Sequence, residues 1–420
     1  MNLLSFARDI LSTFPNETSS FIDYPHSSLA EPGFELPTDP NETEGPSKEV
    51  RKTDLISWSW VASSSRRENA LEGLLLGCAV GEALALARDG YSRRQAIRLF
   101  GASPARFKFI PNVGFPGERF HSVIMTIQAM LASRASHREF AKKLSVRRRW
   151  YVVGSPARAT VRMLRPAFTA KPDEIPVPRR LIGDPLPRAA AISLMIQGSQ
   201  SGEPWVDIST ALTVNGKGAA DVSLLVAQAV QLAQMLDPAE PRFSPLDAIE
   251  TLIYETSDPV LRKYLLHLRT CLENRYSLAR ASRSLGWKRG VPYDLRAIAV
   301  MAIYAWLRHP FRFRFAVERA VFLGGASAAV GAIAGCLSGV TLGKRGIPNE
   351  WLKLVTLYPH DRQWQDELIE RVKDWPHGVE DIQNAKAEQT FVLGQLARNI
   401  TYSTFRLIHV LIRIPGRLVP

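Results

Sequence analysis

Three short segments carry the residue types and spacings that could do chemistry. A glycine-rich run ends at Glu82, a second segment reads GERFHSVI over residues 117–124, and a third reads GGASAA over residues 324–329. Carboxylates such as Glu82 and Glu118 can act as general acids or bases, or can hold hard divalent cations. A guanidinium such as that of Arg119 binds phosphate and carboxylate groups instead. These segments indicate a glycine-lined ligand cleft with few carboxylates.

Other catalytic signatures are absent from the sequence. It contains no serine nucleophile elbow, no P-loop and no dinucleotide-binding fingerprint. Its three cysteines, Cys78, Cys271 and Cys336, are odd in number and widely spaced, which excludes a disulfide scaffold and a C-x-x-C zinc site. Arg8 and Asp9 interrupt the apolar start of the chain, so we expect no secretory signal there. These features predict a cytoplasmic protein.

The charge of the chain is positive and unevenly distributed. The net charge is +13, yet residues 1–50 hold nine acidic and two basic side chains. Residues 88–180 hold twenty arginines and lysines against five acids, a density that attracts phosphates, nucleic acid or an anionic membrane surface. No nucleic-acid-binding motif accompanies this basic segment, so a solvated basic face is the simpler interpretation.

The elements that must position these segments are helices. Residues 1–62 are acidic and rich in Pro and Ser, a composition typical of a disordered tail. Over residues 63–375, apolar residues recur at i, i+3, i+4 and i+7 while strict alternation is rare, which predicts one compact all-α domain. A C-terminal helical extension over residues 376–420 follows it.

One uncharged stretch, residues 321–343, is long enough to span a bilayer. Its apolar character comes largely from Gly, Ala and Ser, and it carries a glycine at every fourth position, at Gly331, Gly335, Gly339 and Gly343. Such a ladder lets the backbone of a neighbouring helix approach closely. We therefore expect a buried helix and no transmembrane segment.

The two glycine-rich runs, in their order and spacing, resemble the signatures of the ADP-ribosylglycohydrolase family. Residues 73–84, GLLLGCAVGEAL, are similar to the opening signature that usually contains Gly-Asp-Ala-Leu. Residues 324–335, GGASAAVGAIAG, are similar to the late signature with Gly-Gly-Asp-Thr-Asp-Thr. Residues 183–190, GDPLPRAA, resemble a mid-chain Gly-Asn-Gly loop, and the resemblance extends from about residue 68 to 360.

The resemblance implies an all-helical fold that hydrolyses ADP-ribosyl linkages with two magnesium ions. In the family, carboxylates and hydroxyls of an early Asp-Asp-Thr-like motif and of the late motif hold the metals, which orient the ADP-ribose and its attacking water. Hard divalent cations require such oxygen ligands.

This sequence departs from the family at those ligand positions. The late motif falls on Ala326, Ser327, Ala328 and Ala329. The early motif falls on Glu118, Arg119 and Phe120. An alanine methyl group offers no oxygen, and Arg119 would repel a dication. We therefore expect no metal site and no cofactor.

Three functions remain open on this basis. The first is an inactive pseudoenzyme that still binds ADP-ribose, another phosphate-containing molecule or a partner, with five ligand-binding candidates, Arg119, His121, Gly324, Gly325 and Ser327. The second is an active hydrolase with a remodelled, metal-poor site around the remnant carboxylates Glu118, Glu82 and Asp184. The third is a basic scaffold for nucleic acid or an anionic surface. Plainer roles compete: a helix-end carboxylate for Glu82, a structural histidine for His121 and a turn residue for Asp184.

Overall fold

The computed structural model describes residues 63–151, 185–196, 202–214, 218–236, 244–373, 375 and 392–418. The predicted tail, residues 1–62, lies outside these residues, as does Asp184. The boundaries drawn at residues 62 and 375 therefore remain predictions.

Helices make up nearly all regular structure in the described part of the chain. Its sixteen α-helices are α1 Ser64–Ala85, α2 Arg93–Phe100, α3 Glu118–Leu131, α4 His137–Tyr151, α5 Leu186–Met195, α6 Glu203–Ala211, α7 Ala219–Met235, α8 Pro245–Glu255, α9 Pro259–Glu273, α10 Leu278–Ser284, α11 Leu295–Arg308, α12 Phe313–Val321, α13 Ser327–Leu342, α14 Asn349–Leu354, α15 Arg362–Lys373 and α16 Val392–Leu418. A 3₁₀ turn covers Lys344–Gly346. Extended backbone pairs only in isolated bridges within these ranges. This confirms the predicted all-α fold.

The centre of the fold is an antiparallel pair formed by α1 and α13. Glycines face each other along the contact, Gly77 against Gly335 for example, and a Cβ atom at either position would overlap the carbonyl oxygen of the other. The two backbones therefore touch directly, as the glycine ladder predicts. Helix α13 is buried along nearly its whole length. Over the described residues, no helix has the length and apolarity needed to cross a bilayer.

The loop before α13 is held by backbone hydrogen bonds on both sides. Gly324 and Gly325 have φ angles of 81° and 65°, a left-handed conformation that side chains other than hydrogen disfavour. Gly325 N–H donates to the Tyr91 carbonyl at 2.8 Å, and Ala326 N–H donates to the Val291 carbonyl at 2.9 Å. A Cβ atom at Gly325 would overlap Val291 backbone. This loop thus starts α13 at one defined place.

Helix α16 closes the described chain and packs against the loop that leads into α3. The buried Arg398 guanidinium donates to the carbonyls of Pro116 and Gly117 at 2.8 and 2.9 Å. His409 stacks on Phe109, with ring centroids 5.0 Å apart, and its Nε2 lies 2.9 Å from the Phe109 carbonyl oxygen. Helix α16 therefore packs beside the start of α3, where residues 118–120 lie.

Candidate functional site

The start of α3 is organised around the carboxylate of Glu82, which projects from α1. Its Oε2 accepts hydrogen bonds from the N–H groups of Gly117 and Phe120 at 2.9 and 3.0 Å. Its Oε1 accepts from the Arg119 N–H at 3.1 Å and lies 3.4 Å from Arg119 Nη1. Because the N-terminus of a helix carries unpaired N–H donors and a partial positive charge, a carboxylate here stabilises it. Glu82 has the geometry of a helix cap.

The start of α13 has its own carboxylate, Asp89, which follows α1. Asp89 Oδ1 accepts a hydrogen bond from the Ala328 N–H at 3.0 Å, and its Oδ2 accepts from the Tyr293 hydroxyl at 3.0 Å. The Asp89 side chain is buried. No sequence motif singled out this residue. The sequence signal that could have identified Asp89 is its place as an acidic residue in the short turn directly after α1, the first glycine-rich helix.

A cation from the C-terminal helix lies beside Asp89. Arg406 Nη2 is 4.0 Å from Asp89 Oδ2, and about a third of the Arg406 side chain (32%) is exposed. The pKa of Arg406 is raised, chiefly by the Tyr402 phenol and, against the opposing effect of burial, by Asp89 and Glu118. Helix α16 thus places a guanidinium over the start of α13.

The Tyr402 phenol on α16 interacts electrostatically with Glu118 at the start of α3 and with Arg406, which lies beside Asp89 near the start of α13. Burial raises the pKa of its phenol to about 12; the Glu118 and Glu82 carboxylates also raise it, whereas Arg406 lowers it. Arg398, one turn earlier on α16, lies 5.0 Å from the Tyr402 ring centroid, and burial lowers the pKa of its guanidinium to about 10. The structure therefore brings the carboxylates of Glu82 and Glu118 close to one face of α16. We call this group of ionisable residues the covered site: Glu82, Asp89, Glu118, Arg119, Arg398, Tyr402 and Arg406.

The remaining ligand-binding candidates lie in two different environments. His121 is fully buried in α3, with its ring centroid 5.2 Å from that of Phe120. Burial lowers the pKa of its imidazole strongly, and the Arg398 and His360 charges lower it further. The Ser327 hydroxyl is also buried, at the first position of α13. Gly324 and Gly325 present backbone rather than side chains.

The residues of the covered site do not fit the two magnesium ions that the family resemblance implies. Ala326 and Ala328 carry no donor oxygen, and Asp89 already accepts a hydrogen bond from the Ala328 N–H. Arg119 and Arg406 bring positive charge to the carboxylates that remain. Within the described ranges, no three or more His, Cys, Asp and Glu side chains group so that they could hold a metal ion. Magnesium needs a shell of oxygen ligands that these side chains do not supply.

The fold is all-α and is built around the glycine-packed pair of α1 and α13. A model of the ADP-ribosylglycohydrolase family matches residues 63–380, well over half of the sequence. The chain belongs to the ADP-ribosylglycohydrolase family. This confirms the resemblance drawn from the two glycine-rich signatures.

Solved structures support the same fold. One of them, described as "ADP-ribosylglycohydrolase-related protein complex", aligns with a TM-score of 0.52 at 18% sequence identity. The alignment covers 74% of this chain and 98% of that one. At this level of identity the likeness concerns the fold alone. No curated protein matches the sequence.

Proposed function

We propose that this family member lacks hydrolase activity and acts by binding a ligand or a partner. The observation that supports this most directly is at the start of α13, where alanines 326 and 328 stand at positions that the resemblance gives to aspartates. Asp89, the carboxylate beside them, accepts a hydrogen bond from the Ala328 N–H. It stabilises the helix start, where an active relative would need metal ligands.

Two guanidinium groups support the same proposal. Arg119 lies 3.4 Å from Glu82 Oε1, and Arg406 lies 4.0 Å from Asp89 Oδ2. A fixed positive charge compensates a carboxylate in a partly buried site, and it opposes the entry of a dication by Coulomb repulsion. Glu82 and Asp89 are therefore neutralised by the chain itself.

The alternative of a remodelled hydrolase depends on Glu118 and Asp184. Glu82 is less suited to acid–base chemistry because its buried carboxylate accepts hydrogen bonds from three backbone N–H groups. A general acid or base must instead be able to reach the glycosidic oxygen or the attacking water. This alternative is an outcome of the experiment below.

The retained function in this proposal is recognition of ADP-ribose, of another phosphate-containing molecule, or of a protein partner. Family membership motivates the first ligand. The excess of arginine and lysine over residues 88–180 motivates phosphate chemistry in general. A basic scaffold for nucleic acid is the competing interpretation, and an electrophoretic shift with a steep salt dependence would support it.

A cytoplasmic location is proposed from the three cysteines, which are free and buried.

The test is an activity and metal-binding assay on the full-length protein. Release of ADP-ribose from an ADP-ribosylated protein, with and without magnesium, is expected to equal a reaction without enzyme. Titration calorimetry with magnesium is expected to give no stoichiometric binding. The double variant Ala326→Asp, Ala328→Asp is expected to remain inactive, because the early motif would still have Arg119 and Phe120 at its second and third positions.

Magnesium-dependent turnover by the unmodified protein would overturn the proposal. If Glu118→Gln abolished that turnover, the remodelled hydrolase would be the correct function. Glu273→Gln, an exposed carboxylate on α9 far along the chain from these motifs, is the matched control and should leave any turnover unchanged.

A further inference from the structure

A cavity of about 260 Å³ lies outside the covered site, between α2, the start of α10 and the end of α12. Its wall includes Phe322 and Leu323, which directly precede the loop of Gly324. None of the residues of α16 lines it. The cavity is therefore separate from the place where Arg406 contacts Asp89.

Three arginines from three different helices line this cavity, and no acidic residue does. They are Arg93 on α2, Arg283 on α10 and Arg319 on α12. Arg283 Nε donates to the Ala279 carbonyl within its own helix at 3.1 Å. Among the described residues, none of the three guanidinium groups forms a salt bridge. All three side chains are exposed, so water screens part of their mutual repulsion, and like charges around one cavity attract an anion.

The nearest acid along the chain forms hydrogen bonds next to the cavity, one of them with the lining residue Ser103. Glu318 precedes Arg319, but its carboxylate accepts from the Ala105 N–H and the Ser103 hydroxyl, both at 2.9 Å, and lies 3.8 Å from Arg314. It is buried and does not line the cavity. The positive charge also reaches His309: burial and, to a smaller extent, the charges of Arg308, Arg319 and Arg312 together lower the pKa of its imidazole to about 4.

Apart from the arginines and two serines, Ser103 and Ser277, the wall is apolar, which restricts the ligand. Ile97, Leu278, Phe322 and Leu323 line the cavity together with alanines. An inorganic anion would leave this apolar surface without a partner, whereas an organic anion would cover it. Pockets that bury drug-sized ligands are about 300–1,000 Å³, so a volume of about 260 Å³ suits a smaller molecule.

We propose that this arginine pocket binds a small organic phosphate. Its phosphoryl oxygens would accept hydrogen bonds from Arg93, Arg283 and Arg319, and its organic part would contact Ile97 and Phe322. Guanidinium groups match phosphate oxygens in geometry and charge, and hydrogen bonds between charged partners are among the strongest in proteins. The proposal concerns a different place from the covered site and does not depend on the loss of hydrolase activity.

The experiment measures binding of phenyl phosphate to the full-length protein by titration calorimetry and by thermal shift. Inorganic phosphate and benzoate are titrated alongside, to separate the phosphoryl group from the organic part and phosphate from carboxylate. We expect saturable binding of phenyl phosphate, about tenfold tighter than that of either comparison ligand. Inorganic phosphate lacks the apolar group and benzoate lacks the phosphoryl group, and either contribution corresponds to about a factor of ten in affinity.

Three variants test the location. The double variant Arg93→Gln, Arg319→Gln is expected to weaken phenyl phosphate binding by about a hundredfold, since it removes two charge-assisted contacts. Ala279→Trp fills the cavity without changing its charge and should abolish binding. Arg94→Gln, an exposed neighbour on α2 that does not line the cavity, is the matched control and should change affinity less than twofold.

Several results would overturn the proposal. One is the absence of saturable phenyl phosphate binding; another is binding by the double variant and by Ala279→Trp that is as tight as binding by the unmodified protein. Equal loss in Arg94→Gln would identify a general surface-charge effect rather than a pocket. Inorganic phosphate binding as tightly as phenyl phosphate would refute the assignment to an organic ligand. None of these results depends on enzymatic turnover. The activity and magnesium-binding assays therefore test the proposed function independently of this pocket.

Discussion

At the residue scale, Glu82 illustrates how a buried carboxylate is stabilised by the backbone it faces. The side chain is fully buried, and N–H groups of Gly117, Arg119 and Phe120 donate to it. A buried charge is tolerated only when hydrogen bonds and an opposite charge replace its hydration. Arg119 provides that opposite charge at 3.4 Å.

Glu82→Gln is expected to destabilise the protein by about 2–4 kcal/mol. The amide keeps one acceptor oxygen but turns an NH₂ donor toward N–H donors, and it leaves Arg119 without its counter-charge. Urea unfolding followed by circular dichroism measures the change in free energy. Glu273→Gln, in a surface pair with Arg269, is the control and should change stability by less than about 0.5 kcal/mol. A Glu82→Gln protein as stable as the original would contradict the capping role.

At the element scale, the contact between α1 and α13 depends on residues without side chains. Gly73 faces Gly339, Gly77 faces Gly335, and a Cβ atom at any of these positions would overlap a backbone carbonyl oxygen. Backbone atoms cannot rotate away as a flexible side chain can. The interface therefore tolerates no added atom unless the two helices move apart.

Gly77→Ala is expected to lower the free energy of unfolding by about 3 kcal/mol, at the upper end of the range for overpacked cores. The gain in helix propensity, about 1 kcal/mol, is too small to offset the separation of α1 from α13. Ser338→Ala on α13 is the control: its buried hydroxyl has no hydrogen-bond partner among the described residues, so its removal should be neutral or mildly stabilising. Differential scanning calorimetry compares the two; equal stability of Gly77→Ala and the original would disprove direct backbone contact.

One buried cation, Arg398, is among the contacts that anchor helix α16. Arg398 donates to the Pro116 and Gly117 carbonyls and lies 5.5 and 5.0 Å from the ring centroids of Phe115 and Tyr402. Leu393, on another face of the helix, is exposed. The face that carries Arg398 therefore packs against the rest of the protein.

Arg398→Ala is expected to loosen α16 while the central pair stays folded. Its loss leaves two buried carbonyls without their donor and removes the packing of the guanidinium on Tyr402. Hydrogen–deuterium exchange should become at least about tenfold faster in α16, with little change in α13. Thr404→Ala, an exposed position on the same helix, should leave exchange unchanged. Equal exchange rates of α16 in the Arg398→Ala variant and in the unmodified protein would show that other contacts hold the helix.

At the scale of the whole molecule, the buried His121 and His360 and the half-buried His309 make stability depend on pH. Burial lowers the pKa of His360 and of His309 to about 4 from an ordinary value of 6.5, and it lowers that of His121 strongly. The unfolded chain therefore binds more protons than the folded chain between about pH 6.5 and pH 4. Stability is fully present above pH 6.5 and is lost as the pH falls through this window.

His360→Phe is expected to remove part of this pH dependence. The phenyl ring keeps the stacking on Trp364, whose centroid lies 3.6 Å from that of His360, but it cannot be protonated. A single histidine shifted to about 4 accounts for roughly 3 kcal/mol between pH 7 and pH 4. Urea unfolding at several pH values measures the difference. Identical pH profiles for the two proteins would mean that His360 does not contribute.

Much of the fold follows from local patterns in the sequence. The recurrence of apolar residues at helical spacing predicted the helices, because a helix buries one face wherever it packs. The glycines of residues 73–81 and 331–343 predicted a close helix pair, since only glycine permits backbone contact. The alanines 326 and 328 predicted the absence of metal ligands, because the ligand oxygens that the family resemblance implies would belong to the side chains at those positions.

The tertiary structure alone decided what surrounds those positions. Arg398 meets Gly117 across 281 residues of chain, and Asp89 meets Ala328 across 239. Such partners carry no local periodicity, and their approach is decided by how whole helices pack. The same holds for Arg93, Arg283 and Arg319, which converge on one cavity from three helices. The sequence by itself determined the helices and the alanines at positions 326 and 328; packing between distant segments decided which charged side chains lie beside them.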